Sequence, residues 1–190
     1  MSTLDFYNRN ADDYVAQSLK IDISYQYPDF EACLPPGARI LDLGCGGGRD
    51  SRHFLDQGFD VVSVDGSPAM CRCAEALLGR PVRCLLFSDL DYVGEFDGIW
   101  ACATLLHVPK DEFDGVMRRV ECALKPQGVL YASFKYGEGE RTVDGRFFSY
   151  YSEADLDSLS RLSLIQYQIS EDDRPKHAGE MWLRTLWRKP

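Results

Sequence analysis

Ile40-Leu41-Asp42-Leu43-Gly44-Cys45-Gly46-Gly47-Gly48-Arg49 reads as a buried strand that breaks into a glycine turn and opens a helix. Glycines at 44, 46 and 48 permit positive φ and let a ligand lie almost against the main chain. The helix that follows, over 50–57, aims its unpaired N–H groups at such a ligand. A second strand, 60–65, ends on Asp65, whose carboxylate can accept hydrogen bonds from a ribose diol. A tight strand–helix connection explains one glycine. Three at alternate positions, bracketed by Asp42 and Asp65, point instead to a nucleoside-bearing ligand.

The spacing narrows the choice. A dinucleotide site wants G-x-G-x-x-G, and here the third required glycine falls on Arg49. A P-loop needs Gly-Lys-Ser/Thr after its glycines, and none follows. Asp42, just before the turn, would repel a pyrophosphate but suits a cation such as an α-ammonium group. An amino acid joined to a nucleoside meets these constraints better than NAD or ATP, and S-adenosylmethionine is such a molecule. Arg49 belongs at the rim of the turn, as an ion-paired residue or as a cofactor contact.

Working outward, apolar strands alternate with helices. The pattern predicts strands at 38–43, 60–65, 82–87, 96–102 and 128–134, with helices at 50–57, 68–78 and 111–124. Ser67-Pro68 supplies an N-cap followed by proline at the first helical position. Such alternation implies βαβ units and a parallel sheet with helices on both faces. Ahead of it, an amphipathic helix covers 4–17 and a second covers 27–34, ended by Pro35-Pro36-Gly37. Beyond Phe134, residues 135–149 read as a Gly-rich charged loop, then a short helix runs to about Leu159. Residues 164–169 and 181–188 alternate and predict a terminal antiparallel pair. One domain is expected over 1–190, with a helical lid at 1–35, a cofactor-binding core at 36–134 and a substrate loop with terminal strands at 135–190.

Composition sets limits. With 190 residues the chain can bury a sizeable core, and no run of about 18 apolar residues is present to span a membrane. The N-terminus lacks a basic and apolar leader, and the seven cysteines form no C-x-x-C pair, so a cytoplasmic protein with reduced thiols and no bound metal is expected. A net charge of −9 argues against a nucleic-acid partner. Residues 135–190 carry nine Lys/Arg against ten Asp/Glu, which leaves −8 for residues 1–134. The C-terminal third is therefore the better place to receive an anion. Oligomeric state stays open.

In these motifs the chain resembles the class I (seven-stranded) S-adenosylmethionine-dependent methyltransferases. Asp42-Leu43-Gly44-Cys45-Gly46-Gly47-Gly48 resembles that family's first motif and Val64-Asp65-Gly66-Ser67 its second. Ser88-Asp89-Leu90 resembles the stretch holding the adenine amino group. Leu105-Leu106-His107-Val108-Pro109 and Leu124-Lys125-Pro126-Gln127-Gly128-Val129-Leu130 resemble the stretches around strands four and five, with Gln127-Gly128 where the family more often has Gly-Gly. The resemblance implies a Rossmann-like α/β fold: a seven-stranded sheet, mostly parallel with one antiparallel strand, helices on both faces. It places the cofactor on Asp42, Gly44, Cys45, Gly46, Gly48, Asp65, Gly66, Ser67, Ser88, Asp89, Leu90 and Ala101. The loop and first helix are also similar to those of small bacterial tellurite-resistance-type methyltransferases. That likeness implies a small soft or anionic acceptor, with Tyr7 and Tyr14 in a lid over the methionine end.

Methyl transfer from a sulfonium mainly needs alignment and exclusion of water. An oxygen or nitrogen acceptor also needs a base. His107, just past the fourth strand at the carboxyl edge of the sheet, is the leading candidate, with Lys135, Tyr136 and Arg146 as further acceptor-side residues. A histidine that merely caps the following helix is the structural alternative. The long segment after the fifth strand suits a lid, and Lys135, Arg146 and Arg174 together suit a small oxyanion. Solvated charge with aromatics packed on the sheet edge is the competing reading. The expected function is methyl transfer to a small molecule. RNA or protein methylation, a non-catalytic S-adenosylmethionine-binding module and a nucleotide-dependent oxidoreductase are the alternatives.

Overall fold

The computed structural model describes residues 2–172, 174 and 177–190; Asp173 and Pro175, beside Arg174, lie outside the described residues. Strand β1 (Arg39–Leu43) pairs in parallel with β2 (Asp60–Asp65) on one edge and with β4 (Phe96–Ala101) on the other. β3 (Arg83–Cys84) extends the sheet beyond β2, and β5 (Leu124–Tyr136) extends it beyond β4. β9 (Met181–Arg188) runs antiparallel to β5, and β8 (Ser163–Glu171) runs antiparallel to β9. The order 3-2-1-4-5-9-8 is thus a seven-stranded sheet in which β9 alone is reversed, as expected. Helices α3 (Arg49–Asp56), α4 (Pro68–Leu78) and α5 (Lys110–Ala123) form the crossovers. Strand order reverses between β1 and β4, which opens a crevice at their carboxyl ends.

Burial explains the layering. Leu41, Leu43, Ile99, Val120 and Trp187 pack on one face of the sheet. Ile40, Phe54, Trp100, Tyr131 and Leu186 pack with Phe30 on the other. Because both faces are covered, the central strands read as continuous apolar runs. Helix α1 (Thr3–Ser18) begins with a capping box in which Ser2 Oγ accepts from Asp5 N at 3.1 Å and Asp5 Oδ2 accepts from Ser2 N at 2.9 Å. It packs against α4, where Asn8 Oδ1 accepts the Ser67 hydroxyl at 2.7 Å. Among the described residues no helix is long and apolar enough to cross a membrane.

Four expectations need correction. The third strand is only two residues, and the chain leaves the sheet for a 3-10 turn at Phe87–Asp89; β3 is an exposed edge with little to pair. The second helix, α2 (Tyr27–Glu31), stops earlier than 34. Residues 135–149 are not a loop but carry a hairpin of β6 (Glu140–Val143) and β7 (Arg146–Tyr151), so the sheet has nine strands. Asp144-Gly145 turns it with φ of 51° and 79°, the Asp-Gly geometry whose twist suits a two-residue hairpin loop. β9 does not alternate between core and solvent, because it lies between β5 and β8 and buries Arg184 and Thr185.

The hairpin sets up the site. β4 ends at Ala101, opposite Ala132, which frees that edge of β5 further along. β7 takes the free edge through Lys135↔Tyr150 and Tyr136↔Tyr151. The hairpin therefore sits over the carboxyl end of β4, beside the segment carrying His107.

Candidate active site

A cavity of about 920 Å³ lies at the carboxyl ends of β1, β4 and β5, beneath α1 and the hairpin. One end is built from backbone. Gly44 (φ 73°) and Gly46 (φ 54°) carry the turn, and a Cβ at Gly44 would lie 2.7 Å from Thr104 Cβ. Asp65 closes β2 with both oxygens engaged: Oδ2 accepts from Gly46 N at 2.9 Å and Oδ1 from Ser67 N at 2.8 Å. Burial pushes its carboxyl upward against those two donors. Leu85, Leu86 and Phe87 line the cavity past Asp65. A turn that only glycine fits, with a carboxylate fixed beside it, suits the ribose and adenine of an adenosyl group.

Of the residues assigned to the cofactor, Tyr14, Gly44, Cys45, Gly46, Asp65 and Gly66 line this cavity. Gly48, Ser67, Ser88, Asp89, Leu90 and Ala101 do not. Gly48 and Ser67 cap α3 and α4 instead, Leu90 and Ala101 are core residues, and Ser88 and Asp89 are exposed. Asp42 also stands elsewhere than expected. It is buried under the turn, accepts from Ser51 Oγ at 2.5 Å, and burial with the nearby Asp50 pushes it up to about 8. Asp50 is the carboxylate at the cavity wall. It is held by Trp100 Nε1 at 2.8 Å, Tyr27 Oη at 3.0 Å and Arg49 Nε at 2.6 Å. Arg49 reaches Ser18 O with its other arm, at 3.3 Å, and so ties α1 to the glycine turn.

The other end is built from side chains. His107 Nδ1 lies 2.6 Å from Phe147 O, and Nε2 lies 2.9 Å from Tyr7 Oη. A carbonyl only accepts, so Nδ1 carries the proton and Tyr7 donates to Nε2. Burial lowers His107 to about 4, so the ring is neutral near pH 7; the Phe147 carbonyl opposes this and Arg146 adds to it. Burial raises Tyr7 well above its usual value. Lys135 and Arg146 also line the cavity, whereas Tyr136 points away and donates to Glu153 at 2.7 Å. Lys135 pairs with Glu180 and lies 4.5 Å over the Trp182 ring; burial lowers it to about 8. Arg174 Nε donates to Asp172 at 2.7 Å, and Trp182 Nε1 donates to the same carboxylate at 2.8 Å. Asp172, His177 and Glu180 approach one another within 4.8 Å, but Arg174 and Lys135 already balance the two carboxylates.

Sequence reasoning missed Asp50, Thr104, Trp182 and Arg184, all of which line the cavity. The period-two pattern of 181–188 was a signal for the last two, since Trp182 and Arg184 share one face of β9. Tyr7 pairing with His107 left no local signal.

Residues 40–128 match a family described as a methyltransferase domain. Over that stretch, a little under half of its length, the chain is similar to methyltransferases. A 1,6-didemethyltoxoflavin N1-methyltransferase of Burkholderia thailandensis, solved with that compound and S-adenosylhomocysteine, is 26% identical with a TM-score of 0.79, covering 98% of this chain and 86% of that one. A TehB-like methyltransferase of Corynebacterium glutamicum is 21% identical with a TM-score of 0.70, covering 96% and 99%, and speaks for the fold. A 2-methyl-6-phytyl-1,4-hydroquinone methyltransferase of Synechocystis is 28% identical over 181 residues, covering 81% of this chain and 55% of that protein. The chain spans about half the length of the curated relatives it matches.

Proposed function

We propose that this methyltransferase domain moves a methyl group from S-adenosylmethionine to an oxygen or nitrogen of a small molecule. The observation that carries this reading is one continuous cavity. A glycine-and-Asp65 cradle lies at one end and a buried Tyr7–His107 pair at the other. When bound, S-adenosylmethionine supplies an electrophilic methyl group on a sulfonium. Gly44, Gly46 and Asp65 would hold the nucleoside, with Phe87 as apolar lining for the base. α1, tied down by Arg49 and by the Asn8–Ser67 bond, excludes water.

Acceptor-side chemistry follows from the tautomer. With Nδ1 tied to Phe147 O, His107 presents a bare Nε2 that already holds the Tyr7 proton. Tyr7 Oη can accept the acceptor's proton while passing its own to Nε2, so one proton leaves the nucleophile as its bond to carbon forms. The imidazolium that results stays buried until product leaves. A soft thiolate or tellurium-type anion, the other class the sequence suggests, would need no such pair. Oxygen and nitrogen acceptors are therefore favoured, and a lid of residues 1–35 over a core of 36–134 is consistent with small substrates.

Purified protein incubated with methyl-labelled S-adenosylmethionine and separate pools of phenols, hydroxy acids, amines, thiols, tellurite and tRNA tests this. Label in the phenol, hydroxy-acid or amine pools is the expected result. Label only in tellurite, thiols or tRNA, or binding of S-adenosylhomocysteine without any transfer, overturns it.

A further inference from the structure

The acceptor end holds an unusual charge ledger. Arg49 is balanced by Asp50, Lys135 by Glu180 and Arg174 by Asp172. Arg184 rests against hydroxyls, Ser170 Oγ and Tyr25 Oη. Arg146 differs from all of these. Among the described residues no carboxylate lies within ion-pair distance of it, and its Nε is buried without a hydrogen-bond partner. Asp144, two residues away at the hairpin turn, is exposed and forms no ion pair with it. A buried guanidinium N–H without an acceptor carries an uncompensated desolvation cost, which a bound anion would recover.

The guanidinium is held in place rather than left to wander. It lies 4.8 Å over the Phe6 ring and 5.3 Å from the Phe148 ring, so its faces are covered, and along its N–H edge one group bonds Tyr7 while Nε–H has no partner. That edge is next to the proposed base. Arg146 depresses His107 and acts on Tyr7 and Lys135, which places its charge within reach of all three. Phe147, its chain neighbour, supplies the carbonyl that fixes the His107 tautomer.

Given the methyl transfer proposed above, on which this inference rests, we infer that the acceptor is a small hydroxy acid. Its carboxylate is bound by Arg146, and its hydroxyl, only a few bonds away, faces Tyr7. Of these cations Arg146 is the one with a buried N–H left unpartnered, and it calls for one negative charge. Burial chiefly holds His107 low and the Arg146 field adds to it; the same anion would offset that added part, so substrate binding itself favours the base. Lys135 and Arg174, already paired, set the positive background without needing the ligand.

The test is calorimetry on the S-adenosylhomocysteine-loaded protein with matched probes: 2-hydroxybenzoate against 2-hydroxybenzyl alcohol, lactate against lactamide, and inorganic phosphate. At least tenfold tighter binding of the acids than of their neutral partners is expected. Arg146→Gln should erase that preference and Arg146→Lys restore part of it, with S-adenosylhomocysteine affinity reporting that each variant is folded. Neutral probes binding as well as acids, an undiminished preference in Arg146→Gln, phosphate binding in place of the acids, or no acid binding at all would each overturn the inference. Failure of wild-type protein to bind S-adenosylhomocysteine would instead overturn the methyl-transfer reading beneath it.

Discussion

The two ends of the cavity, donor and acceptor in the function proposed above, are made in different ways. At the donor end, Gly44, Gly46, Asp65 and Ser67 lie within 24 residues of one another and act through main-chain hydrogen bonds. At the acceptor end, Tyr7 meets His107 across 100 residues, and His107 meets Phe147 across 40. A backbone cradle tolerates almost no substitution at its glycines but is indifferent to distant changes. A side-chain constellation tolerates change at each member, yet depends on α1, the hairpin and β9 all being in register. One chain can thus keep a fixed donor site while its acceptor site varies.

The largest break in this comparison should come from Gly44→Ala. The added Cβ would run into Thr104, 2.7 Å from its Cβ, on a residue with φ of 73°. Left-handed backbone costs about 1–2 kcal/mol and overpacking about 1–3 more. A fall in thermal midpoint together with loss of S-adenosylhomocysteine binding is expected by calorimetry. Gly44→Ala/Thr104→Gly, which removes the clash but not the strain, should recover part of the stability; full recovery would show that the turn does not require glycine.

Asp65→Ala comes next. It strips two main-chain N–H groups, Gly46 and Ser67, of a charged acceptor. Donor binding should weaken by about 100-fold, in keeping with about 1.5–3 kcal/mol for a hydrogen bond to a charged group. Asp65→Asn keeps one acceptor and should fall between. Equal affinity in all three proteins, measured by titration with S-adenosylhomocysteine, would remove Asp65 from the donor site.

These two effects concern what sequence could reveal. The strand–turn–helix, the second strand ending at Asp65 and the Ser67 cap were legible because each is a local pattern with its own physics. The seven-stranded core was legible for the same reason, through alternation. The hairpin was not legible because Arg-Phe-Phe-Ser-Tyr-Tyr at 146–151 does not alternate and β6 is exposed throughout, although Asp144-Gly145 marked its turn. Asp42 was read as facing the ligand because nothing local announces Ser51 and the burial beneath the turn. Gln127, where the family more often has glycine, sits at φ 65°, so the departure carries backbone strain the sequence does not display.

A smaller effect, confined to the acceptor end, is expected from Tyr7→Phe. It removes the proton donor to His107 Nε2 but keeps the ring between Phe6 and Tyr14. The turnover number should drop about 10–100-fold with S-adenosylhomocysteine affinity changed less than about twofold, at and below the low end of the roughly 10²–10⁴-fold that a positioned acid–base group supplies, because His107 stays in place. The pH profile sharpens the point. His107 acts while neutral, so activity is present above its lowered value and is lost as pH falls through about 4. Removing the Arg146 charge takes away one of the forces holding it low, so the acid limb of Arg146→Gln should move upward. An acid limb near the ordinary histidine value of about 6.5 in the wild type would place the titrating base elsewhere.

The smallest effect is the most discriminating test of the donor end. Family likeness assigns the adenine amino group to Asp89, whereas the folded chain leaves Asp89 exposed on a 3-10 turn and lines the cavity with Phe87 from the same turn. If the base is held by packing, Asp89→Ala should change S-adenosylhomocysteine affinity by less than about twofold, as exposed polar substitutions usually do. Phe87→Ala, which strips apolar surface from the same turn, should cost more, on the order of 1.5–3 kcal/mol if the ring is fully covered by the bound base. Calorimetry on the pair settles the order. A larger loss for Asp89→Ala than for Phe87→Ala would mean that the turn rearranges on binding to bring its carboxylate inward, and that the donor end, too, is finished by a side chain that moves.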